Sequence, residues 1–168
     1  LLEQALAQDC ALIAGESLRK APFEHLTVHA HEGHSRATMK IQEGCDRWCT
    51  YCIIPSVRGP VRSMPLEAVA AEAARLGRAG YREIVVTGIE IASWGVDLPG
   101  KPNMVTLIAA LCKAVPDLRI RLGSLEPRVV TEEFCQTLSK YPNLCPHFHL
   151  SMQSGSDAVL ARMKRKYD

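Results

Sequence analysis

From Ser35 onward the chain alternates short β-type runs with longer amphipathic segments, and this rhythm constrains the fold more than any other feature. Strands expected over Ala37–Ile41, Glu83–Thr87, Asp117–Gly123 and His147–Met152 are each followed by a helical segment. These helices are expected at Leu66–Ala79, with Pro65 in its first turn and Gly80 at its C-cap, near Val105–Ala114, after Thr131, and after Ser156-Asp157. Thr131 is read as an N-cap because Thr-Glu-Glu supplies a hydroxyl and two first-turn carboxylates. Strands alternating with helices imply parallel βα units with right-handed crossovers. A closed eightfold barrel takes roughly 250 residues, and this chain has 168. The expectation is therefore an α/β fold of about four parallel βα units, a partial TIM-type barrel, with its functional surface at the C-terminal strand ends. Such a half barrel leaves a strand edge unpaired, so self-association is expected.

Residues 1–35 read as a helix and a polar connector from a preceding domain, and residues 36–168 as the first part of the barrel. Leu1 in place of Met, and a last segment without a stop signal, suggest a piece of a longer chain. His25, His29, His31 and His34 lie in the connector, where no helical period gathers two imidazoles on one face.

Composition excludes several classes. With 47% hydrophobic and 23% charged residues the chain can bury a core, and a net charge of +2 excludes a strongly basic nucleic-acid coat. No apolar run approaches the length of a membrane span and no secretion signal is legible, so a cytoplasmic protein without membrane contact is expected. Seven cysteines cannot all pair. Cys10, Cys112, Cys135 and Cys145 sit in apolar or mixed contexts and are expected as buried small hydrophobes.

The other three form Cys45-x3-Cys49-x2-Cys52 in the loop after the first strand. A structural zinc site needs a fourth ligand, and a ferredoxin run would carry a nearby fourth Cys. Neither is adjacent, although His34 could complete a zinc site and the thiols could form a redox sensor. Three cysteines on a 4Fe-4S cluster instead leave one iron open to a substrate-like molecule.

That spacing, with aromatic Tyr51 before the third Cys, resembles the radical S-adenosylmethionine (SAM) superfamily. Lys40-Ile41-Gln42-Glu43-Gly44-Cys45, Cys52-Ile53-Ile54-Pro55 and Arg58-Gly59-Pro60-Val61-Arg62-Ser63 are similar to the methylthiotransferases within it. Thr87-Gly88-Ile89-Glu90, Gln153-Ser154-Gly155-Ser156 and Met163-Lys164-Arg165-Lys166-Tyr167 most resemble the branch acting on N6-threonylcarbamoyladenosine beside the tRNA anticodon. The isopentenyladenosine and ribosomal-protein branches tend to carry a Gln in the strand-two motif, which this chain lacks.

The resemblance implies a 4Fe-4S cluster on Cys45, Cys49 and Cys52 that binds SAM, is reduced by a donor such as flavodoxin or ferredoxin, and generates a 5′-deoxyadenosyl radical. A methylthio group is then installed at C2 of the modified adenine. It also implies a second cluster in an N-terminal domain and a C-terminal tRNA-gripping domain. Neither domain is visible here, so this stretch alone is expected to be inactive.

Around SAM the resemblance places Tyr51, whose backbone approaches the adenine, and Thr87, Gly88 and Glu90, which meet the amino group. It also places Gln153 and Ser154 there, with an N-cap at Ser156 as the plainer reading. Ser124 and Glu126 can bond ribose hydroxyls as acidic groups do in dinucleotide sites, or simply belong to a loop punctuated by Pro127. Arg58 and Arg62, spaced by a rigid turn, are candidates for anticodon-loop phosphates. Arg162, Lys164, Arg165 and Lys166 give the last helix a basic end that already suits its dipole, and a tRNA contact there is a second reading. Trp48 has no assigned role. Another radical SAM reaction, or a zinc or redox module without catalysis, remains open at this point.

Overall fold

The computed structural model describes residues 21–25 and 35–168. The helix and most of the connector expected over residues 1–35, including Cys10, His29, His31 and His34, lie outside the described residues.

The sheet begins with β1 (Arg36–Glu43), where Ala37, Met39 and Ile41 alternate into the core. β3 (Glu83–Gly88) pairs parallel to β1 with Ala37 opposite Ile84 and Met39 opposite Val86. β4 (Arg119–Leu122) continues the parallel sheet, setting Ile120 beside Ile84 and Leu122 beside Val86. Their side chains, all nearly inaccessible to solvent, form the central apolar layer.

Helices seal this layer. α2 (Leu66–Arg78) turns Val69, Ala73 and Leu76 inward, and Gly80 follows its last turn with φ of +93°, the left-handed exit that glycine accepts without strain. α3 (Met104–Ala114) presents Leu107, Ile108 and Leu111. Its N-cap is Asn103, whose Oδ1 accepts from Thr106 N at 3.0 Å. α4 (Glu132–Leu138) is capped as expected, Thr131 Oγ1 accepting from Phe134 N at 3.2 Å. Trp94 is buried and its indole N–H bonds Met64 O at 2.8 Å, closing the side of the sheet next to the cysteine loop. Truncating it to Ala would cost about 3–5 kcal/mol.

Four features differ from the sequence expectation. The cysteine-bearing loop is not plain coil: it contains α1 (Ile54–Arg58) and a two-residue strand, β2 (Arg62–Ser63), which pairs antiparallel to the end of β1. The sheet order is thus β2-β1-β3-β4, parallel except at that edge. The third expected strand is shortened to β4, and just past its expected end Ser124–Leu125 forms a separate two-residue strand, β5, outside the main sheet. The fourth, expected over His147–Met152, is reduced to β6 (His149–Leu150) beside β5, while a bridge from Leu144 to Ile120 keeps its approach in register with the main sheet. The last helix, α5 (Asp157–Arg162), starts after Ser156, which makes no side-chain cap; Ser154 Oγ accepts from Ser156 N instead.

The result is a curled, mostly parallel half barrel. Its open side is apolar: Val130, Phe148 and Leu150 are exposed around a cavity of about 530 Å³ behind α4. Among the described residues no helix is long and apolar enough to cross a membrane. Cys112 and Cys145 are buried as expected, but Cys135 is exposed at the edge of that cavity on α4, a correction to its reading as a buried residue.

Candidate active site

All the loops expected to carry chemistry leave the same end of the sheet. At the head of β1 the side chain of Gln42, fully buried, ties two backbone segments together through three hydrogen bonds. Its Nε2 donates to Glu43 O at 2.7 Å and Gly44 O at 2.8 Å, and its Oε1 accepts from Glu90 N at 2.8 Å. Beside it Glu43 accepts from Lys40 and, at 2.8 Å, from Arg62. Burial alone would raise the Glu43 carboxyl, but these two cations outweigh it and hold it below the usual range.

Gly44 follows with φ of +67°, where a Cβ would lie 1.8 Å from Pro60 O. This crossing fixes the start of the cysteine loop, and Cys45 N donates to Gly59 O at 3.0 Å. Cys45 and Cys49 are buried and Cys52 half-buried. Two of the thiols carry donors: Arg47 N points at Cys45 Sγ (3.4 Å) and the Arg165 guanidinium at Cys49 Sγ (3.3 Å). Burial pushes the Cys45 thiol up, and the neighbouring Glu90 and Cys49 push the same way.

At the end of β3, Gly88 is packed so closely that a Cβ would sit 2.9 Å from Gln42 O. Glu90 stands beyond it, its carboxyl raised by burial and then by the nearby Glu126. Glu126, 2% exposed, is surrounded by Arg47 at 2.8 Å, Arg128 at 3.2 Å and Arg165 at 3.6 Å. Its Oε1 is within ion-pair reach of Arg165 yet has no hydrogen-bond partner, so one buried carboxylate oxygen faces the site unsatisfied.

The chain end closes over the loop. Thr50 N donates to Met163 O at 3.2 Å, and Arg165 continues through Tyr167, whose hydroxyl donates to Ser151 O at 2.7 Å. Glu90 thus lies near Cys45, Glu126 is held by the arginines whose N–H groups reach Cys45 and Cys49, and Thr87 and Gly88 end β3. Gln153 is exposed with φ of +63°, and it and Ser154 follow Ser151 and Met152, the residues whose carbonyls the Tyr167 hydroxyl bonds. Ser124 is exposed and pairs its hydroxyl with His149 Nδ1 at 2.7 Å. Tyr51 is exposed on the loop.

Arg58 and Arg62 do not form the expected pair. Arg58 is exposed, whereas Arg62 is buried, donates to Glu43 and to Arg58 O, and so braces the loop rather than presenting to a phosphate. Gln42, Arg47 and Arg165 are the supports that spacing did not single out. Gln42 was legible only as a polar residue on an otherwise apolar strand, and Arg165 only as a base at a helix end.

Among the described residues no group of three His, Cys, Asp or Glu is arranged for a single metal ion. The donor set fits an iron–sulfur cluster by its chemistry: thiol ligands only, two sulfurs already accepting N–H bonds and an unsatisfied buried carboxylate oxygen alongside.

The sequence profile of the radical SAM superfamily matches residues 39–168. The chain belongs to that superfamily. Among its relatives, the "Threonylcarbamoyladenosine tRNA methylthiotransferase MtaB" of Rickettsia prowazekii is 41% identical over 142 residues, covering 84% of this chain and 34% of that protein. The "tRNA-2-methylthio-N(6)-dimethylallyladenosine synthase" of Chlorobium luteolum is 40% identical over 134 residues (80% and 30%). The "Ribosomal protein uS12 methylthiotransferase RimO" of Geobacter sulfurreducens is 43% identical over 130 residues (77% and 29%). The chain therefore spans about a third of the length of these relatives. Among solved structures, the radical SAM methyltransferase TsrM from Kitasatospora setae, with cobalamin and a 4Fe-4S cluster bound, superposes with a TM-score of 0.59 at 20% identity. It covers 77% of this chain and 24% of that one, and establishes the fold.

Proposed function

We propose that this chain is the cluster-bearing front part of a methylthiotransferase that acts at C2 of N6-threonylcarbamoyladenosine next to the tRNA anticodon. The observation that carries the reading is the loop after β1, where Cys45 and Cys49 accept N–H bonds from Arg47 and Arg165 and face Glu90 and Glu126. Cys45, Cys49 and Cys52 would hold a 4Fe-4S cluster, and SAM would lie toward Tyr51, Thr87, Gly88, Glu90, Ser124, Glu126, Gln153 and Ser154. When bound, this pair supplies a one-electron route to hydrogen-atom removal from an unactivated C–H bond.

The chain's own residues prepare the site. Gln42 clamps the heads of β1 and β3, so the first cysteine and Glu90 keep a fixed separation. Arg165 holds Cys49 as a hydrogen-bonded sulfur, and Glu126 pairs with Arg47 and Arg165 and keeps them in place. A second cluster, a flavodoxin- or ferredoxin-type donor and a cytoplasmic setting belong to the same reading.

Identity does not separate the three branches among the relatives, and the strand-two motif without Gln favours the threonylcarbamoyl substrate. The test is anaerobic reconstitution of the full chain, with iron counting, EPR with and without SAM, and mass spectrometry of threonylcarbamoyl- and isopentenyl-modified anticodon RNAs. Cluster iron lost in Cys49→Ala, a SAM-dependent signal and a methylthio mass gain on the threonylcarbamoyl RNA alone are expected. Zinc instead of iron would overturn the radical reading, and a gain on the isopentenyl RNA would overturn the substrate.

A further inference from the structure

We propose that the depression lined by Asp46, Arg47, Trp48, Arg128, Lys164 and Lys166 is a docking groove for single-stranded RNA, with one unpaired base stacked on Trp48 and its flanking phosphates on Lys164 and Lys166. This rests on the RNA-modifying reading above and says where that RNA touches the chain.

The groove holds about 440 Å³ and is built from four separated stretches: the cysteine loop, the turn after β3 with Ser93 and Val96, the turn after β5 and the segment after α5. Four cations face one carboxylate there, and Asp46 turns that carboxylate to the backbone, accepting from Val61 N at 3.4 Å. Arg47 and Arg128 are oriented from beneath by Glu126, and a guanidinium keeps further N–H donors when one is engaged. Lys164 and Lys166 are exposed and, among the described residues, have no ion-pair partner.

Their placement is more than a basic helix end. Lys164 adopts φ of +58°, which turns the chain back over the cysteine loop, and bonds from Thr50 to Met163 O and Arg162 O pin it there. Trp48 is 60% exposed and has no ring partner among the described residues. An exposed indole inside a cationic groove is the arrangement that grips single strands: every base offers a face to stack, and the lysines track the backbone. Trp48 lies between Cys45 and Cys49, so a base stacked on it brings the next nucleotide to the cysteines.

The test uses the full chain with its cluster and an anticodon stem-loop RNA, read by fluorescence anisotropy over a salt series. Trp48→Ala is expected to weaken binding roughly tenfold, and Lys164→Gln with Lys166→Gln to reduce the salt slope by roughly 1.4. An equal loss of charge on the helical flank, Arg78→Gln with Lys113→Gln, should leave affinity and slope as in the parent. Iron is counted in each variant, and where Trp48→Ala loses iron the lysine pair decides. If the lysine pair binds RNA with the parent's affinity and slope, the groove assignment is overturned. It is overturned equally if that pair slows only reduction by an acidic flavodoxin. A parent that binds no RNA would instead sink the RNA-modifying reading, so the two failures are distinguishable.

Discussion

Gly44→Ala tests whether the loop crossing, rather than the cysteines alone, builds the site. At φ of +67° an alanine pays about 1–2 kcal/mol for the left-handed conformation. Its Cβ would meet Pro60 O at 1.8 Å, Pro60 C at 2.5 Å and Gly59 O at 2.7 Å, all backbone atoms that cannot swing away. The Gly59-Pro60 segment must therefore move by more than about 1 Å, far beyond what a close-packed interior absorbs freely. That shift breaks the Cys45 N–H bond to Gly59 O, worth about 1 kcal/mol. Strain and lost bond sum to about 2–3 kcal/mol, equivalent to roughly 4–12 °C in midpoint for a chain of this size. Because Cys45 is carried with the crossing, iron uptake on reconstitution should collapse as well. Gly80→Ala is the control: φ is +93°, but nothing lies within 4 Å of the new Cβ, so only the conformational strain of about 1–2 kcal/mol applies and iron is retained. Thermal denaturation of the apo full chain and iron per chain after reconstitution read both effects. If Gly44→Ala matches Gly80→Ala on both measures, the crossing does not position Cys45 and the reasoning fails.

Arg165→Gln removes a guanidinium from Cys49 Sγ; the cluster's midpoint potential should fall by roughly 60 mV, the one-electron equivalent of about 1.4 kcal/mol, by EPR-monitored titration. Arg165→Lys should recover part of the shift, which a merely structural role would not require. Glu83 is held below the usual carboxylate range chiefly by its bond from Arg121 at 2.8 Å, helped by Arg119 and Arg36. A lowered folded-state pKa gives stability that is present above the unfolded value of 4.5 and lost as pH falls through the folded one. Glu83→Gln should therefore cost about 1 kcal/mol at neutral pH, and the difference from the parent should vanish in denaturation curves taken on the acid side of that window. For the cysteines outside the loop, maleimide at pH 8 should label exposed Cys135 rapidly. Cys112, buried and pushed up to about 11 by that burial, should stay unlabelled until the chain unfolds.

What the sequence made legible was local. The alternation of Ala37, Met39 and Ile41, the Thr131 cap and the Gly80 exit each depend on neighbours within a few residues, and each appears in the structure where expected. β2 was not legible because two residues carry no period; only their pairing with Gln42 and Glu43 makes them a strand. The fourth strand shortened for the opposite reason. Its pattern, Phe148 to Met152, is strand-like, yet its apolar side chains are exposed on the open side of the sheet, so only the residues beside β5 pair.

The same division runs through the site. Cys45, Cys49 and Cys52 are a local motif, and the loop that bears them could be picked out from spacing. Their supports are decided by distant partners: Arg165 reaches Cys49 across 116 positions, and Gln42 reaches Glu90 across 48. Arg58 and Arg62 show why spacing misleads here. Four residues apart around a rigid turn, they read as one phosphate clamp, but a buried carboxylate 19 positions upstream captures Arg62 and leaves Arg58 in solvent. Burying Glu43 without that partner would cost several kcal/mol, so the ion pair outranks any surface role for Arg62. The loop's phosphate-facing charge is then left to side chains that no buried carboxylate has claimed, and in this structure Lys164 and Lys166 meet that condition beside the cysteines.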